Sequence, residues 1–253
     1  MAKKLKTSLL KNLIFALRYG FRGVPCTING YDLRLDESLR RWNLNAEAPM
    51  QKVISELLRT GDFFVDVGAN FGLHTLLAAK IVGDKGKIIA VEPVPANLKL
   101  LKRNIQLNNF EKFVSIFPYA LIESAHGQVV MNVDDGLSVA ASLSSAKKKC
   151  KIIRVQSSTL DNCLRDTPFP PKLIKIDVEG AEHEVLKGAQ ETLSRFKPYL
   201  LIEVHSFALP EFGSSAEILS DFLNSIGYSK EIISETHGTD GEYYHALFSP
   251  VAN

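Results

Sequence analysis

The sequence is short of cysteine and of long apolar runs, and each shortage excludes a class of protein. Its three cysteines, Cys26, Cys150 and Cys163, are too few for a disulfide framework and lack the paired spacing of a metal site. We therefore expect a reducing compartment and a cytoplasmic location. The longest stretch without Asp, Glu, Lys or Arg is 67–79, which is too short to span a bilayer.

An excess of charge of either sign is also missing. The chain has 30 Lys and Arg against 28 Asp and Glu, a formal net charge of +2, so no global field indicates a nucleic-acid partner. With 45% apolar and 23% charged residues, the composition is that of a globular protein and excludes a disordered or fibrous chain. Its 253 residues suit one large domain or two small ones.

The first 22 residues contain no acid, unlike the rest of the chain. Six Lys or Arg residues alternate there with Leu and Ile at steps of three and four residues, which predicts a basic amphipathic helix. We expect this helix to pack on the main domain, with weak contact to an anionic membrane surface as the alternative. Asn29-Gly30 predicts a hairpin with a type I′ turn. Residues 1–60 would thus form an N-terminal extension of basic helix and hairpin.

From residue 61 onward, short apolar strands alternate with helical stretches, as in a doubly wound α/β fold. The pattern predicts strands at 62–67, 87–92, 113–121, 172–177, 199–205, 228–235 and 243–249, and helices at 73–82, 95–107, 182–196 and 216–226. We expect a mostly parallel seven-stranded sheet with an antiparallel C-terminal hairpin. Residues 127–156 are predicted to be an insert with two further strands.

The first strand of this sheet runs into the turn Asp66-Val-Gly68-Ala69-Asn70-Phe-Gly72, directly before a helix. Glycines at such a turn let a ligand approach the backbone and the amides of the helix N-terminus. A dinucleotide site would have G-x-G-x-x-G, and Asp66 stands where the pyrophosphate would be repelled. An acid suits a cationic ligand, such as the ammonium and sulfonium groups of S-adenosylmethionine. Glu92, at the end of the second strand, is placed to bind a ribose diol.

Three segments together, FFVDVGANFG (63–72), AVEPVP (90–95) and LIKIDVEGAE (173–182), resemble the FkbM family of S-adenosylmethionine-dependent methyltransferases. The first segment is typical of class I methyltransferases in general, whereas the third narrows the resemblance to this family. The resemblance implies a Rossmann-like class I methyltransferase domain over residues 61–253. It also implies a cofactor site that we assign to Asp66, Gly68, Ala69, Asn70, Gly72, Glu92, Pro93 and Ala120.

Ionisable side chains gather where the predicted strands 172–177 and 199–205 end. Because ligands bind beyond the carboxyl ends of parallel strands, we expect Asp177, Glu179 and His205 to face the transferred methyl group. A hydroxyl acceptor must lose its proton, and His205 and Asp177 are the candidate bases, histidine being better matched to neutral pH. With Glu203 the cluster could also hold Mg²⁺, but most such clusters bind no metal, and we assign none.

The sequence therefore predicts a methyltransferase that acts on oxygen. The resemblance implies a small-molecule acceptor with a hydroxyl group, such as a sugar or polyketide. Two alternatives remain, a nicotinamide-dependent oxidoreductase and a non-catalytic, membrane-associated binding module that retains the fold. The acceptor's identity and the oligomeric state are left open by the sequence.

Overall fold

A computed structural model of the chain describes residues 20, 22–125, 127–134, 141–142, 150–167, 169–238 and 241–251. The predicted basic helix falls almost wholly on residues 1–19, which lie outside the described residues. Among the helices that are described, none is long and apolar enough to cross a membrane.

Thirteen strands and seven α-helices are described. The strands are β1 (Val24–Ile28), β2 (Tyr31–Leu35), β3 (Phe63–Val67), β4 (Lys87–Val91), β5 (Val114–Phe117), β6 (Ala120–Leu121), β7 (Gln128–Asp134), β8 (Ala141–Ser142), β9 (Cys150–Ser158), β10 (Leu173–Ile176), β11 (Tyr199–His205), β12 (Tyr228–Gly238) and β13 (Gly241–Pro250). The helices are α1 (Ala48–Leu57), α2 (Leu73–Val82), α3 (Pro95–Leu107), α4 (Leu160–Leu164), α5 (Glu182–Lys187), α6 (Gln190–Phe196) and α7 (Ala216–Ser225).

The main sheet has seven strands in the order β12-β13-β11-β10-β3-β4-β5. The five strands from β11 to β5 run parallel, while β13 pairs antiparallel with both β11 and β12. This confirms the predicted mostly parallel sheet with its antiparallel C-terminal hairpin. Helices α1 to α3 pack on one face and α4 to α7 on the other, in two separate apolar clusters.

Alternation along the strands places a row of charged residues on one face of this sheet. Residues of neighbouring strands that occupy the α1–α3 face include Phe64, Leu173, Leu201 and Leu247. Because side chains of a strand repeat every two residues, Asp66, Lys175, Glu203 and His245 project from that same face. All four are buried. They approach the carboxyl ends of the parallel strands, where ligands bind in such folds.

The N-terminal hairpin has the predicted type I′ turn, since Asn29 and Gly30 have φ angles of 45° and 83°. The hairpin and α1, a helix that was not predicted, share one apolar cluster with α2 and α3. This packing brings the segment before the main sheet against the helix that follows the Gly-rich turn.

The predicted bounds of two elements, one strand and one helix, were wrong. Strand 113–121 is interrupted, because β5 ends at Phe117 and Pro118 cannot donate to a continued ladder. The next strand, β6, instead pairs with β9 of a second sheet, in which the predicted insert strands β7 and β9 also pair.

The single helix predicted at 182–196 is divided into α5 and α6 at Gly188. A Cβ at Gly188 would lie 2.3 Å from the carbonyl oxygen of Ile122, so the chain there passes directly against another backbone. The carboxylate of Asp161 then accepts hydrogen bonds from the amides of Glu191 and Thr192, which begins α6 anew.

Candidate active site

A cleft opens at the carboxyl ends of β3, β4 and β10. Seven of the eleven predicted site residues line it, namely Gly68, Asn70, Glu92, Pro93, Ala120, Asp177 and Glu179. The turn after β3, the turn after β4 and the loop after β10 therefore meet at one opening, as expected for an open parallel sheet.

Gly68 is required by a close approach between two strand ends. It has φ 76°, and a Cβ there would lie 1.8 Å from the carbonyl oxygen of Asp177. Asn70 also has a positive φ of 53°, which asparagine tolerates better than most residues. The backbone of this turn is therefore exposed to the cleft without intervening side chains.

Glu92 lies at one end of the cleft and is almost fully buried. Its Oε2 accepts from the amide of Asn70 at 2.8 Å, and its Oε1 accepts from the amide of Val94 at 2.8 Å. Burial raises its pKa to about 7 although these hydrogen bonds act in the other direction. Oε1 accepts a further hydrogen bond from Nδ2 of Asn97 at 3.3 Å, so the lone pair that remains open to a hydroxyl donor is on Oε2.

The same end of the cleft has an apolar wall that crosses from the main sheet to the insert. Tyr119, Ala120 and Leu121 come from the connection after β5, and Met131 comes from β7. An aromatic ring, small side chains and a thioether form a surface suited to a flat heterocycle. The assignment of Ala120 to the cofactor site is compatible with this position.

Asp66 lies behind the cleft and does not line it. The side chain is fully buried, and its Oδ2 accepts from the hydroxyl of Thr75 at 2.6 Å. Its Oδ1 lies 3.4 Å from the ammonium of Lys175. Any contribution of Asp66 to ligand binding would therefore pass through the Gly-rich turn and Lys175.

Ala69 and Gly72 also lie outside the cleft lining. Ala69 belongs to the apolar cluster on the α1–α3 face. Gly72 has φ 95° at the start of α2, where a Cβ would lie 2.6 Å from Leu101. Both residues therefore support the Gly-rich turn on its α1–α3 side and not on the side of the cleft.

Lys175 is a buried cation shared by the ends of two strands. Its ammonium donates to Asp177 Oδ2 and to the carbonyl oxygen of Gly68, each at 3.0 Å. Burial acts to lower the pKa of Lys175, but the charges of Asp177 and Asp66 outweigh it and the net pKa is raised. Burial is the largest single influence on Asp177 and acts to raise its pKa, but the charges of Lys175 and His205 and the hydrogen bond from Lys175 together lower it. Lys175 and Asp177 are thus an ion pair near neutral pH.

His205 ends β11 behind the loop that carries Glu179. Its Nδ1 lies 2.8 Å from Oε1 of Glu182, a fully buried carboxylate that also accepts from the amide of Gly180. Burial acts to lower the pKa of His205, but the hydrogen bond and charge of Glu182, with Asp177 and Glu203, raise it to about 10. An imidazolium has no lone pair for a proton, so this environment is unfavourable for the base role predicted for His205.

A sequence profile for the Methyltransferase FkbM domain matches residues 66–230, more than half of the chain. The chain belongs to the FkbM methyltransferase family. It is 27% identical over 195 residues to the hexuronic acid methyltransferase AglP of Haloferax volcanii, covering 73% of this chain and 75% of that protein. It is 30% identical over 164 residues to the methyltransferase sdnD of Sordaria araneosa, covering 53% and 62%.

Solved structures agree on the fold of this FkbM-family chain. The methyltransferase FkbM of Methylobacillus flagellatus aligns with TM-score 0.50 and 21% identity over 77% of this chain, which spans 45% of that protein. A SAM-dependent O-methyltransferase of Thermotoga maritima aligns with TM-score 0.53 and 12% identity, covering 92% of this chain and 79% of that one. Both show the Rossmann-like methyltransferase architecture.

The donor set of this FkbM-family site does not fit a divalent metal well. Within the described residues, ligand atoms of Asp177, Glu203 and His205 lie within 4.8 Å of one another. Asp177 is engaged by the ammonium of Lys175, however, and protonated His205 offers no lone pair. Two of the three donors are therefore committed elsewhere.

Two important residues of the site were missed from the sequence. Lys175 stands in the strand sequence Leu-Ile-Lys-Ile, and a lysine in a fully buried strand signals a buried anionic partner. The second is Glu182, which holds His205. Its side chain is fully buried, a property that its position in the first turn of α5 does not reveal.

Proposed function

We propose that the chain transfers a methyl group from S-adenosylmethionine to a hydroxyl oxygen of a small molecule. The observation that carries the proposal is the polarity of the cleft. Glu92 and the apolar wall follow β4 and β5, whereas the carboxylates of Asp177 and Glu179 follow β10, two strands away from β4 in the sheet. These two parts of the lining suit the adenosine and the cationic methionine parts of the cofactor, respectively. When bound, S-adenosylmethionine supplies an electrophilic methyl group.

The residues of this chain would then bind the cofactor, orient it and shield its methyl end. Glu92 would accept a hydrogen bond from a ribose hydroxyl at Oε2, with its position fixed by the backbone amides of Asn70 and Val94 and the side-chain amide of Asn97. The turn at Gly68 would bring backbone against the methionine part. Asp177 would face the methyl end while Lys175 holds it ionised, which makes Asp177 a weak base and a fixed negative charge.

The charge distribution supports an alcohol as acceptor and disfavours a carboxylate. Near the methyl end, the side chains of Asp177 and Glu179 are 21% and 23% exposed, whereas the cations Lys175 and His205 are 2% and 5% exposed. An incoming group therefore meets carboxylates first, and like charges repel. AglP is named for hexuronic acids, compounds that carry both hydroxyls and a carboxylate. We propose the hydroxyls as the site of transfer.

The test is to incubate the protein with radiolabelled S-adenosylmethionine and a panel of methyl glucoside, methyl glucuronoside and its methyl ester, together with polyketide alcohols. A base-stable methyl ether is expected. A base-labile methyl ester or an N-methyl product would contradict transfer to hydroxyl. Tight cofactor binding without any transfer would favour the non-catalytic module, and binding of NAD in place of S-adenosylmethionine would favour the oxidoreductase.

A further inference from the structure

Glu47 precedes the matched family domain in the sequence, and its side chain contacts the helix that follows the Gly-rich turn. It occupies the N-cap position of α1, yet its carboxylate makes no capping hydrogen bond with that helix. Its Oε2 lies instead 3.3 Å from Nε2 of His74, in the first turn of α2. The carboxylate therefore points at the helix that follows the Gly-rich turn.

The carboxylate of Glu47 interacts with ionisable groups on four surrounding elements. It interacts electrostatically with Asp177 and Lys175 near the end of β10, with His245 of β13 and with Asp66 of β3. Its contact on α2 is His74. The described lining of the cleft includes Asp177 but not Glu47, so Glu47 lies beside the cleft, on the side of Asp177, with which it interacts.

Among the carboxylates of the described residues on this side of the cleft, Glu47 differs in having no cationic partner in contact. Asp66 and Asp177 share Lys175, while Glu179, Glu182 and Glu203 surround His205. The neighbour of Glu47 is His74, and burial lowers the pKa of His74 to about 4, so it is neutral. Burial and the charge of Asp177 raise the pKa of Glu47, which makes its carboxylate a stronger base.

Glu47 also has a route for the proton. Its side chain is 27% exposed, whereas Asp66 and Glu182 are fully buried. A group that takes up a proton in each turnover must return it to water, so partial exposure suits that task.

We propose that Glu47 removes the proton of the acceptor hydroxyl, with His74 as a positioning residue. This inference rests on the proposed function. As the acceptor oxygen bonds to the methyl carbon, the carbon–sulfur bond breaks and its electron pair leaves on the thioether sulfur of S-adenosylhomocysteine. The hydroxyl proton moves to the carboxylate of Glu47 and is later released to solvent. The FkbM domain thus depends on a residue contributed from outside the matched range 66–230.

The test is Glu47→Gln, which keeps the shape of the side chain and removes the base. We expect kcat to fall by roughly 10²–10⁴-fold, the usual contribution of a general base, while the Kd for S-adenosylmethionine changes less than about threefold. Glu56→Gln is the matched control, because Glu56 lies on the same helix, is 62% exposed and pairs only with Lys52 among the described ion pairs. Its kcat should remain that of the unchanged protein.

Two further measurements separate a chemical role from a structural one. Glu47→Asp should recover part of the lost kcat, and the acidic limb of the pH profile should be lost in Glu47→Gln. Methyl ether formation by Glu47→Gln within threefold of the unchanged protein would overturn this inference and leave the proposed function standing. Failure of the unchanged protein to methylate any hydroxyl in the panel would contradict the proposed function, and this inference with it.

Discussion

Lys175 and Asp66 are direct cross-strand partners on β10 and β3, with the ammonium 3.4 Å from Oδ1. Both side chains are essentially without solvent contact. The same ammonium also holds Asp177 and the carbonyl oxygen of Gly68. One buried cation thus fixes the two strand ends between which the cleft opens.

We expect Lys175→Met to destabilise the protein severely, because it leaves the buried carboxylate of Asp66 and the partly buried one of Asp177 without their cation. Breaking one side of a buried pair costs about 3–5 kcal/mol. Urea unfolding followed by circular dichroism measures this change. Lys172→Met is the control. Lys172 directly precedes β10 and is exposed, and among the described side-chain contacts its ammonium meets only the ring of Tyr199. Equal stability of the two variants would contradict the role given to Lys175.

Gly68→Ala should both destabilise the protein and weaken cofactor binding, for a reason that Gly83→Ala does not share. Both glycines have positive φ, so either alanine has a conformational cost of about 1–3 kcal/mol. A Cβ at Gly68 would in addition lie 1.8 Å from Asp177 O, whereas a Cβ at Gly83 would meet nothing within 4 Å.

Calorimetric titration with S-adenosylmethionine and thermal unfolding distinguish these variants. We expect Gly83→Ala to bind as the unchanged protein does and Gly68→Ala to bind at least tenfold more weakly. Similar losses in the two variants would show that φ alone matters and that the contact with Asp177 does not.

Glu92→Gln should weaken the binding of adenosine by roughly tenfold or more, because hydrogen bonds to a charged group contribute about 1.5–3 kcal/mol. The pKa of about 7 adds a pH dependence. Below that pH the carboxyl is protonated and loses acceptor capacity, so affinity for adenosine should rise between pH 6 and pH 8. The rise should be absent in Glu92→Gln. Adenosine itself does not titrate in this range, so a rise that persists in the variant would exclude Glu92 as its source.

The same shift acts on stability in a defined direction. The folded-state pKa of Glu92 is raised above its ordinary value of 4.5, so the folded state binds the extra proton between about pH 4.5 and pH 7. The contribution of this residue to the free energy of unfolding should therefore decrease as pH rises through that window. Glu92→Gln should remove this part of the pH dependence.

The fold could be predicted from periodicity because each strand and helix carries its own apolar pattern. The errors occurred where a distant contact decides the local structure, as at Gly188, which must pass against Ile122. The cleft lining followed from the same logic, since residues directly after parallel strands meet at one edge. The positions of Glu92 and Asp177 in the cleft could be predicted from this rule alone.

The ion pairs could not be predicted in this way. Asp66 and Lys175 are joined by register between β3 and β10, and Glu47 meets His74 because α1 packs on α2. No local spacing encodes such contacts. The role predicted for Asp66 assumed that an acid at a strand end is free for the ligand, whereas the structure gives it a buried cation.

Glu182→Gln should lower the pKa of His205, which can be followed by the pH titration of its imidazole proton resonances. In the unchanged protein, the titration should fall near pH 10 instead of the ordinary 6.5. Because the folded-state pKa is raised, the stabilising contribution is complete below about pH 6.5 and is lost as pH rises through about 10. The free energy of unfolding should therefore decline over that window, and less so in the variant.

Glu184→Gln, on the same helix but paired with Lys187, is the control and should leave the titration of His205 in place. A titration of His205 near neutral pH in the unchanged protein would contradict the imidazolium assignment and restore this residue as a candidate base.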